Sequence, residues 1–184
     1  MMNENLFLEG SVPSLEEVLQ TRENRAKLEQ QLVKKFAMPL IAFKLNIPGP
    51  VKNNATIKRI FEEGCNQLQE ELKKLNKPIL YEKKLDLNTG PEYFCVQGKI
   101  EDAFSLKKMA VALEEKGLGR IYDIDILRNN GGQAVSIQRT ELEIPVRKCF
   151  ICATEAKDCS RNRTHSVLDL QLKLTEIVNE EIGM

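Results

Sequence analysis

Helix-like and strand-like patterns alternate through the middle of the chain, and their order constrains the fold more than any other feature. The predicted elements are a strand over 39–48, a helix over 57–75, strands over 79–87 and 93–96, a helix over 102–116, and strands over 120–127 and 134–137. This β-α-β-β-α-β order, with one added hairpin strand, predicts an α+β fold with a ferredoxin-like, split β-α-β core. Such a core has an antiparallel sheet with both helices on one face and leaves the other face open.

We expect a single domain over residues 1–184, in which two further segments flank this core. Ser14 and Glu17 form a capping-box pattern, which predicts an N-terminal helix within residues 11–36. The α+β core then covers residues 39–144. Residues 145–184 are rich in Cys and Arg and end in an amphipathic helix from Ser166 to Ile182.

Composition excludes several classes of protein. With 27 basic and 27 acidic residues, the formal net charge is zero, and 42% of residues are hydrophobic, which argues against a disordered chain and against a general nucleic-acid binder. No apolar run approaches the roughly 20 residues that span a bilayer, and the N-terminus lacks a secretory pattern. Five cysteines, three of them within eleven residues, favour a reducing compartment. We therefore expect a cytoplasmic protein without membrane or nucleic-acid partners.

The segment Asp123-Ile124-Asp125 carries the strongest chemical signal. In a strand the two aspartates share one face, with Cα atoms about 6.6 Å apart, while Tyr122 and Ile126 join Ile124 on the other face. Two carboxylates at that separation repel by about 2.5 kcal/mol at an effective dielectric constant near 20. A cation between them removes this cost, and Mg²⁺ bound to substrate phosphate is a natural candidate. The alternative is a solvated outer face, where alternating polar residues are common.

Basic residues before and after the sheet elements suggest phosphate binding. Arg120 stands just before the acidic strand and can bind a phosphate in a forked geometry. Lys52 and Asn53 follow the rigid turn at Pro48–Pro50 and are predicted to lie at a helix N-terminus, which favours an anion. The alternative for this turn is a stiff loop whose polar residues only cap the helix.

The pattern Cys149-x2-Cys152-x6-Cys159-x5-His165 offers four ligands that can close a tetrahedral zinc site. A compact loop with reduced thiols is the alternative. His165 is the only histidine, and as a free imidazole it is also a candidate general base, though not while it is bound to zinc.

Three arginines beside the cysteines form the one locally basic patch of the sequence: Arg147, Arg161 and Arg163. They suit the phosphates of a bulky substrate or an acidic partner. A solvated loop explains them equally well.

Three segments together resemble the apo-citrate lyase phosphoribosyl-dephospho-CoA transferase family, also called holo-citrate lyase acyl carrier protein synthases. They are LNIPGPVKN over 45–53, GRIYDIDI over 119–126, and the Arg- and Cys-containing run over 147–165. The resemblance covers nearly the whole chain. It implies transfer of a prosthetic group from 2′-(5″-triphosphoribosyl)-3′-dephospho-CoA to a serine of the acyl carrier (gamma) subunit of citrate lyase, with release of diphosphate.

The resemblance also implies roles for individual residues. Asp123 and Asp125 would hold Mg²⁺ on the triphosphate, and Arg120 would act with them on the phosphates. The residues implied in binding the donor or the carrier are Asn46, Lys52, Asn53, Arg147, Arg161 and Arg163.

A shorter likeness keeps other functions open. Residues 119–127 are similar to the metal-binding strand of hydroxymethyl-dihydropterin pyrophosphokinases, which are also ferredoxin-like and use Mg²⁺. The alternatives to the transferase are therefore a pyrophosphokinase-like enzyme, or a non-catalytic interaction module with a zinc-stabilised tail.

Overall fold

A computed structural model describes residues 4–98 and 103–183 of the chain. Its helices and strands are α1 (Leu15–Phe36), β1 (Leu40–Leu45), α2 (Ala55–Lys74), β2 (Ile79–Leu85), β3 (Glu92–Gln97), α3 (Ala103–Glu114), β4 (Tyr122–Asn130), β5 (Gln133–Ser136), α4 (Ala156–Asn162) and α5 (Val167–Ile182). Short 3₁₀ turns span Gly117–Ile121 and Arg139–Leu142. The predicted start of the third helix at Asp102 lies outside the described residues. Along the described ranges, no helix combines the length and apolarity needed to cross a bilayer.

The five strands form one sheet in the order β2-β3-β1-β4-β5, and each neighbouring pair is antiparallel. Strand β3 lies between β1 and β2, so helix α2 links two strands that are not neighbours, as in a split β-α-β unit. The predicted α+β class and antiparallel sheet are confirmed. The capping box at the start of α1 is also confirmed, because the Ser14 hydroxyl accepts from the Glu17 amide and the Glu17 carboxylate from the Ser14 amide.

The two faces of the sheet pack against different helices. Ile41, Phe43 and Ile124 point into the larger core, together with apolar residues of α2, α3 and α5. Leu40 and Phe94 point the other way, into a smaller core formed with α1. The prediction of an open second face is therefore wrong where α1 covers it. The reason is that β1 and β3 are apolar on both sides, as central strands are, and each side needs a partner.

Strand β5 leaves half of the outer edge of β4 without a neighbouring strand. It pairs with β4 only over residues 127–130. At the uncovered end, two side chains of α3 replace the missing strand. The Glu114 carboxylate accepts from the Ile124 amide at 2.8 Å, and the Lys107 ammonium donates to the Ile124 carbonyl at 3.1 Å. Both side chains are buried.

The Glu114 carboxylate also binds two arginines from the chain beyond β5. Arg139 Nη2 donates to Glu114 Oε2 at 2.6 Å, and Arg147 Nη2 lies 2.8 Å from Glu114 Oε1. Glu114 is only 3% exposed, so its charge depends on these partners. This carboxylate therefore joins α3, β4 and the segment that leads to the cysteines.

We expect Glu114→Gln to lower the free energy of unfolding by about 3 kcal/mol, because it leaves two partly buried guanidinium groups without their counter-charge. Urea denaturation at neutral pH measures the change. Glu115→Gln is the matched control, since Glu115 is 52% exposed and its contact with Arg139 is 3.2 Å long, so its loss is expected to cost less than about 1 kcal/mol. Equal losses in the two variants would contradict the bridging role of Glu114.

Candidate functional site

A cavity with a volume of about 730 Å³ opens beside the uncovered edge of β4. This volume is within the range of small-molecule sites in proteins. Its walls come from the end of β1, from α3, from β4 and from residues 137–161. Its charged lining residues are Lys107, Glu114, Asp123, Asp125, Arg139, Arg147, Glu155, Lys157 and Arg161.

The acidic pair lies on one face of β4, as the strand alternation predicts. Tyr122 and Ile124 are buried in the larger core, whereas the side chains of Asp123 and Asp125 are 37% and 42% exposed at the cavity. Ser136 Oγ on β5 donates to Asp125 Oδ1 at 3.1 Å. The two carboxylates are thus accessible and on the same side, which is the geometry that a shared cation requires.

A lysine that the sequence argument missed lies between the two acids. Lys44 on β1 is directly opposite Asp123 in the strand register. Its ammonium contacts Asp123 Oδ2 and lies 3.9 Å from Asp125 Oδ2. Burial favours a raised pKa for Asp123, but attraction and hydrogen bonding to Lys44, with smaller effects of Arg147 and Lys107, outweigh burial and lower the pKa. Lys44 therefore supplies part of the positive charge that offsets the repulsion between the two acids. From the sequence, only Mg²⁺ is predicted to supply this charge.

A third carboxyl group approaches the acidic pair from α1. This residue, Glu29, is half-buried and lines a small pocket together with Lys44 and Asp125. Burial raises the pKa of Glu29 to about 7; Arg25 opposes this shift, and the nearby Asp125 adds to it. At neutral pH, Glu29 is therefore a mixture of its protonated and ionised forms. From its amphipathic pattern, α1 is predicted only to pack against the rest of the chain, because nothing local shows which strand face it covers.

The raised pKa of Glu29 predicts a pH dependence of stability. Its pKa of about 7 lies above the ordinary value of 4.5, so the folded protein holds this proton more tightly than the unfolded chain does. The resulting stabilisation is complete below about pH 4.5 and is lost as the pH rises through about 7. Relative to Glu29→Gln, we expect the wild type to lose about 2 kcal/mol across this range, since one pKa unit corresponds to about 1.4 kcal/mol and partial exposure weakens the effect.

Urea unfolding of both proteins at several pH values measures this difference. Glu23→Gln is the control on the same helix, because Glu23 is 66% exposed, and its difference from wild type is expected to stay constant with pH. Parallel stability curves for wild type and Glu29→Gln would refute the prediction.

The predicted residues at the first turn are only partly brought to the cavity. Asn46 is exposed and lines it. Lys52 instead donates to the Ile47 carbonyl at 2.6 Å, and burial, with a smaller effect of Arg22, lowers its pKa. Lys52 lies in a separate small pocket beside Lys44.

The side chain of Asn53 has a structural contact rather than a place in the cavity. It is buried, and its Nδ2 donates to Asp86 Oδ1 at 2.7 Å and to the Leu87 carbonyl at 2.8 Å. The cap of α2 is Asn54, whose side chain accepts from the Ile57 amide. The anion site expected at this helix end has no support from the placement of these side chains.

The four predicted arginines separate into two groups. Arg147 and Arg161 line the cavity. Arg120 lies outside it, where its Nη2 donates to the Lys148 carbonyl at 2.9 Å and its guanidinium lies 5.7 Å from the Phe150 ring centroid. Arg163 is the C-cap of α4, with φ of 49°, and is also outside the cavity lining.

Three cavity cations were missed by the sequence argument: Lys107, Arg139 and Lys157. Lys107 is weakly indicated by the sequence, because it is a lysine on the buried face of α3. The other two depend on how the chain beyond β5 folds back, which no local pattern reveals.

The predicted cysteine and histidine ligands converge. The ligand atoms of Cys149, Cys152, Cys159 and His165 all lie within 4.8 Å of one another. A hydrogen bond from Thr154 and then one from His165 lower the pKa of Cys152 to about 6. The cluster follows Arg147 directly, and α4 carries Cys159 as well as the cavity residues Lys157 and Arg161. The cysteine segment is therefore also a wall of the cavity.

Five cationic and four anionic side chains line this cavity. This combination, with two exposed acids on a rigid strand, is suited to a phosphorylated ligand and a divalent cation. The fold and site thus define an α+β protein with a charged, solvent-accessible cavity at the edge of its sheet.

Comparison with known proteins identifies the family. The family model described as apo-citrate lyase phosphoribosyl-dephospho-CoA transferase matches residues 13–181. A Streptococcus pyogenes serotype M18 protein is 31% identical over 97% of this chain and 92% of its own length. A Vibrio cholerae serotype O1 protein is 33% identical over 91% of this chain and 92% of its own length. Both are named "Probable apo-citrate lyase phosphoribosyl-dephospho-CoA transferase". The chain belongs to this family of transferases, and the expectation of an enzyme is confirmed.

Proposed function

We propose that this enzyme transfers the 2′-(5″-phosphoribosyl)-3′-dephospho-CoA group from 2′-(5″-triphosphoribosyl)-3′-dephospho-CoA to a serine of the apo acyl carrier (gamma) subunit of citrate lyase. The observation that carries the proposal is the acidic pair at a cavity of about 730 Å³ that also holds five cationic side chains, in a chain of this family. In this view the β1–β4 core is a ferredoxin-like scaffold with α1 added on its second face.

The proposed reaction is a displacement at phosphorus. The serine oxygen forms a bond to the phosphorus nearest the ribose, the bond from that phosphorus to the diphosphate breaks, and the hydroxyl proton is lost. The nucleophile belongs to the carrier, so the chain needs to bind phosphates, orient the two substrates and accept a proton.

We propose that cationic side chains of the cavity bind the donor phosphates. Arg147 and Arg161 face the acidic strand from the cysteine segment, and Lys107 approaches it from α3. Guanidinium groups bind phosphate oxygens in a forked geometry, and fixed positive charge stabilises the charge that develops on the leaving diphosphate. We assign substrate binding to these three residues and to Asn46.

Arg120 receives a different role in this proposal. Because its guanidinium binds carbonyls of the cysteine segment, we propose that it positions Arg147 through that backbone. Lys52 stabilises the turn between β1 and α2, and Asn53 connects this turn to the segment after β2. Contacts of Arg163 with the carrier remain a prediction.

We further propose that Asp123 and Asp125 hold Mg²⁺. Two exposed carboxylates on one face are a donor set that fits this ion, which usually takes one or two carboxylates and completes its shell with phosphate oxygens. When bound, Mg²⁺ would neutralise phosphate charge. Lys44 competes with the ion for the same two carboxylates. Binding of the ion together with the donor phosphates therefore has to be stronger than the attraction between Lys44 and the two acids.

The direct test of this function combines the enzyme with apo acyl carrier subunit, the triphosphoribosyl donor and Mg²⁺, and measures the mass of the carrier. We expect the mass to rise by one phosphoribosyl-dephospho-CoA group. Asp125→Asn is expected to lower the rate by at least about 100-fold while the protein stays folded, because charge-stabilising groups contribute 10²–10³ in rate.

Asp158→Asn is the matched control, since Asp158 is an exposed acid on α4 outside the cavity lining. A fully active Asp125→Asn enzyme would remove the mechanism. A wild type that never modifies the carrier but consumes ATP with another small substrate would replace the function with that of a pyrophosphokinase.

The cavity also predicts a contrast between two neighbouring arginines. Arg161→Met is expected to raise the KM for the donor about tenfold or more, because a hydrogen bond to a charged group contributes about 1.5–3 kcal/mol. Arg163→Met, two residues further on and outside the cavity lining, is expected to leave this KM unchanged. Steady-state kinetics with varied donor concentration distinguish the two, and equal effects would contradict the assigned donor position.

A further inference from the structure

We propose that Cys149, Cys152, Cys159 and His165 bind one structural Zn²⁺ ion, which holds the cysteine segment in place as a wall of the cavity. The ion is separate from the cation proposed at the acidic pair. The proposal rests on the geometry of these four side chains and does not depend on the transferase reaction.

The distances between the ligand atoms suit a tetrahedral zinc centre. Cys159 Sγ lies 3.4 Å from Cys149 Sγ and 4.0 Å from Cys152 Sγ, and all four ligand atoms fall within 4.8 Å of one another. A tetrahedron with Zn–S bonds of about 2.3 Å has S–S edges of about 3.8 Å. The two S–S distances lie on either side of this value, so the four side chains are close enough to share one ion.

Backbone contacts hold each ligand in position. The Cys149 amide donates to the Thr154 carbonyl at 2.9 Å, which closes a tight loop around Cys152. Within this loop the Ile151 amide donates to Cys149 Sγ at 3.4 Å, a contact that stabilises a thiolate ligand. The Thr164 amide donates to the Cys159 carbonyl at 3.1 Å, and this turn brings His165 back to the cysteines.

One polar atom in the cluster lacks a hydrogen-bond partner. His165 Nε2 is buried, and nothing in the described part of the chain donates to it or accepts from it. A buried polar group left in this state costs about 1–3 kcal/mol. One ring nitrogen of His165 lies within 4.8 Å of the three cysteine sulfurs, and neutral imidazole is a common zinc ligand, so coordination of Zn²⁺ would give this incompletely paired ring a partner.

The site is structural rather than catalytic. Four protein ligands fill a tetrahedral shell, which leaves no position for water or substrate. Cys149 and Cys159 are only 8% and 5% exposed. None of the four residues lines the cavity, although Arg147 and Arg161 each lie two residues from one of the cysteines. The ion would therefore act on substrate binding only through the position of this wall.

Metal content is the direct test. The full chain is purified under reducing conditions without chelators or metal-affinity steps, loaded with Zn²⁺, desalted and analysed by elemental and native mass spectrometry. We expect one zinc ion per chain in the wild type and loss of that zinc in Cys152→Ser and His165→Asn. Cys65→Ala and Cys95→Ala are matched controls, because these buried cysteines lie in the core on α2 and β3, and both are expected to retain one zinc.

Substitution with Co²⁺ gives a second measurement that does not depend on the stability of the variants. Wild-type protein loaded with Co²⁺ is expected to show the strong visible absorption of tetrahedral cobalt with thiolate ligands. The proposal is overturned if reduced, folded wild type takes up no zinc, or if it shows octahedral cobalt only. It is also overturned if Cys152→Ser and His165→Asn keep their zinc, or if the chain carries a Cys149–Cys159 disulfide under these reducing conditions. Since none of these measurements uses the donor or the carrier, failure of the transferase assay leaves the zinc result intact.

Discussion

The buried carboxylate of Glu114 determines where the cavity of this enzyme lies. It occupies the hydrogen-bonding position that another strand would otherwise take beside β4, and it holds Arg139 and Arg147 at the same point. The sheet consequently ends early on this side, and the chain beyond β5 turns back toward its edge. This ion cluster therefore links the acidic strand directly to the cationic wall.

Electrostatic balance is the second organising feature of the site. Asp123 and Asp125 lie beside Lys44, and Glu29 lies close to the same group of charges. Such a cluster is sensitive to the arrival of further charge, because each carboxyl group shares its compensation with the others. In the proposed function, a polyphosphate with its cation would have to compete with Lys44 for the two acids.

Local sequence patterns were sufficient for the parts of the fold that depend on nearby residues. The alternation in β4 placed Asp123 and Asp125 on one face, and cysteine spacing brought four ligands together. The patterns were insufficient where distant segments meet. Lys44 lies beside the acids only because of the register between β1 and β4. Helix α1 covers a sheet face that its own sequence does not specify. The Arg120 side chain donates to a backbone carbonyl and does not line the cavity. Each of these outcomes depends on tertiary packing, which periodicity does not encode.

The way in which the sheet ends restricts how any protein partner can approach. On the β4 side, α3 side chains already satisfy the Ile124 amide and carbonyl. On the opposite side, β2 has an irregular register between Ile79 and Tyr81 and exposes Lys83 and Lys84. Both features discourage the addition of a strand. A carrier protein that docks at either of these two places would therefore have to be recognised by side chains and surface charge, and not by extension of the backbone hydrogen-bond ladder.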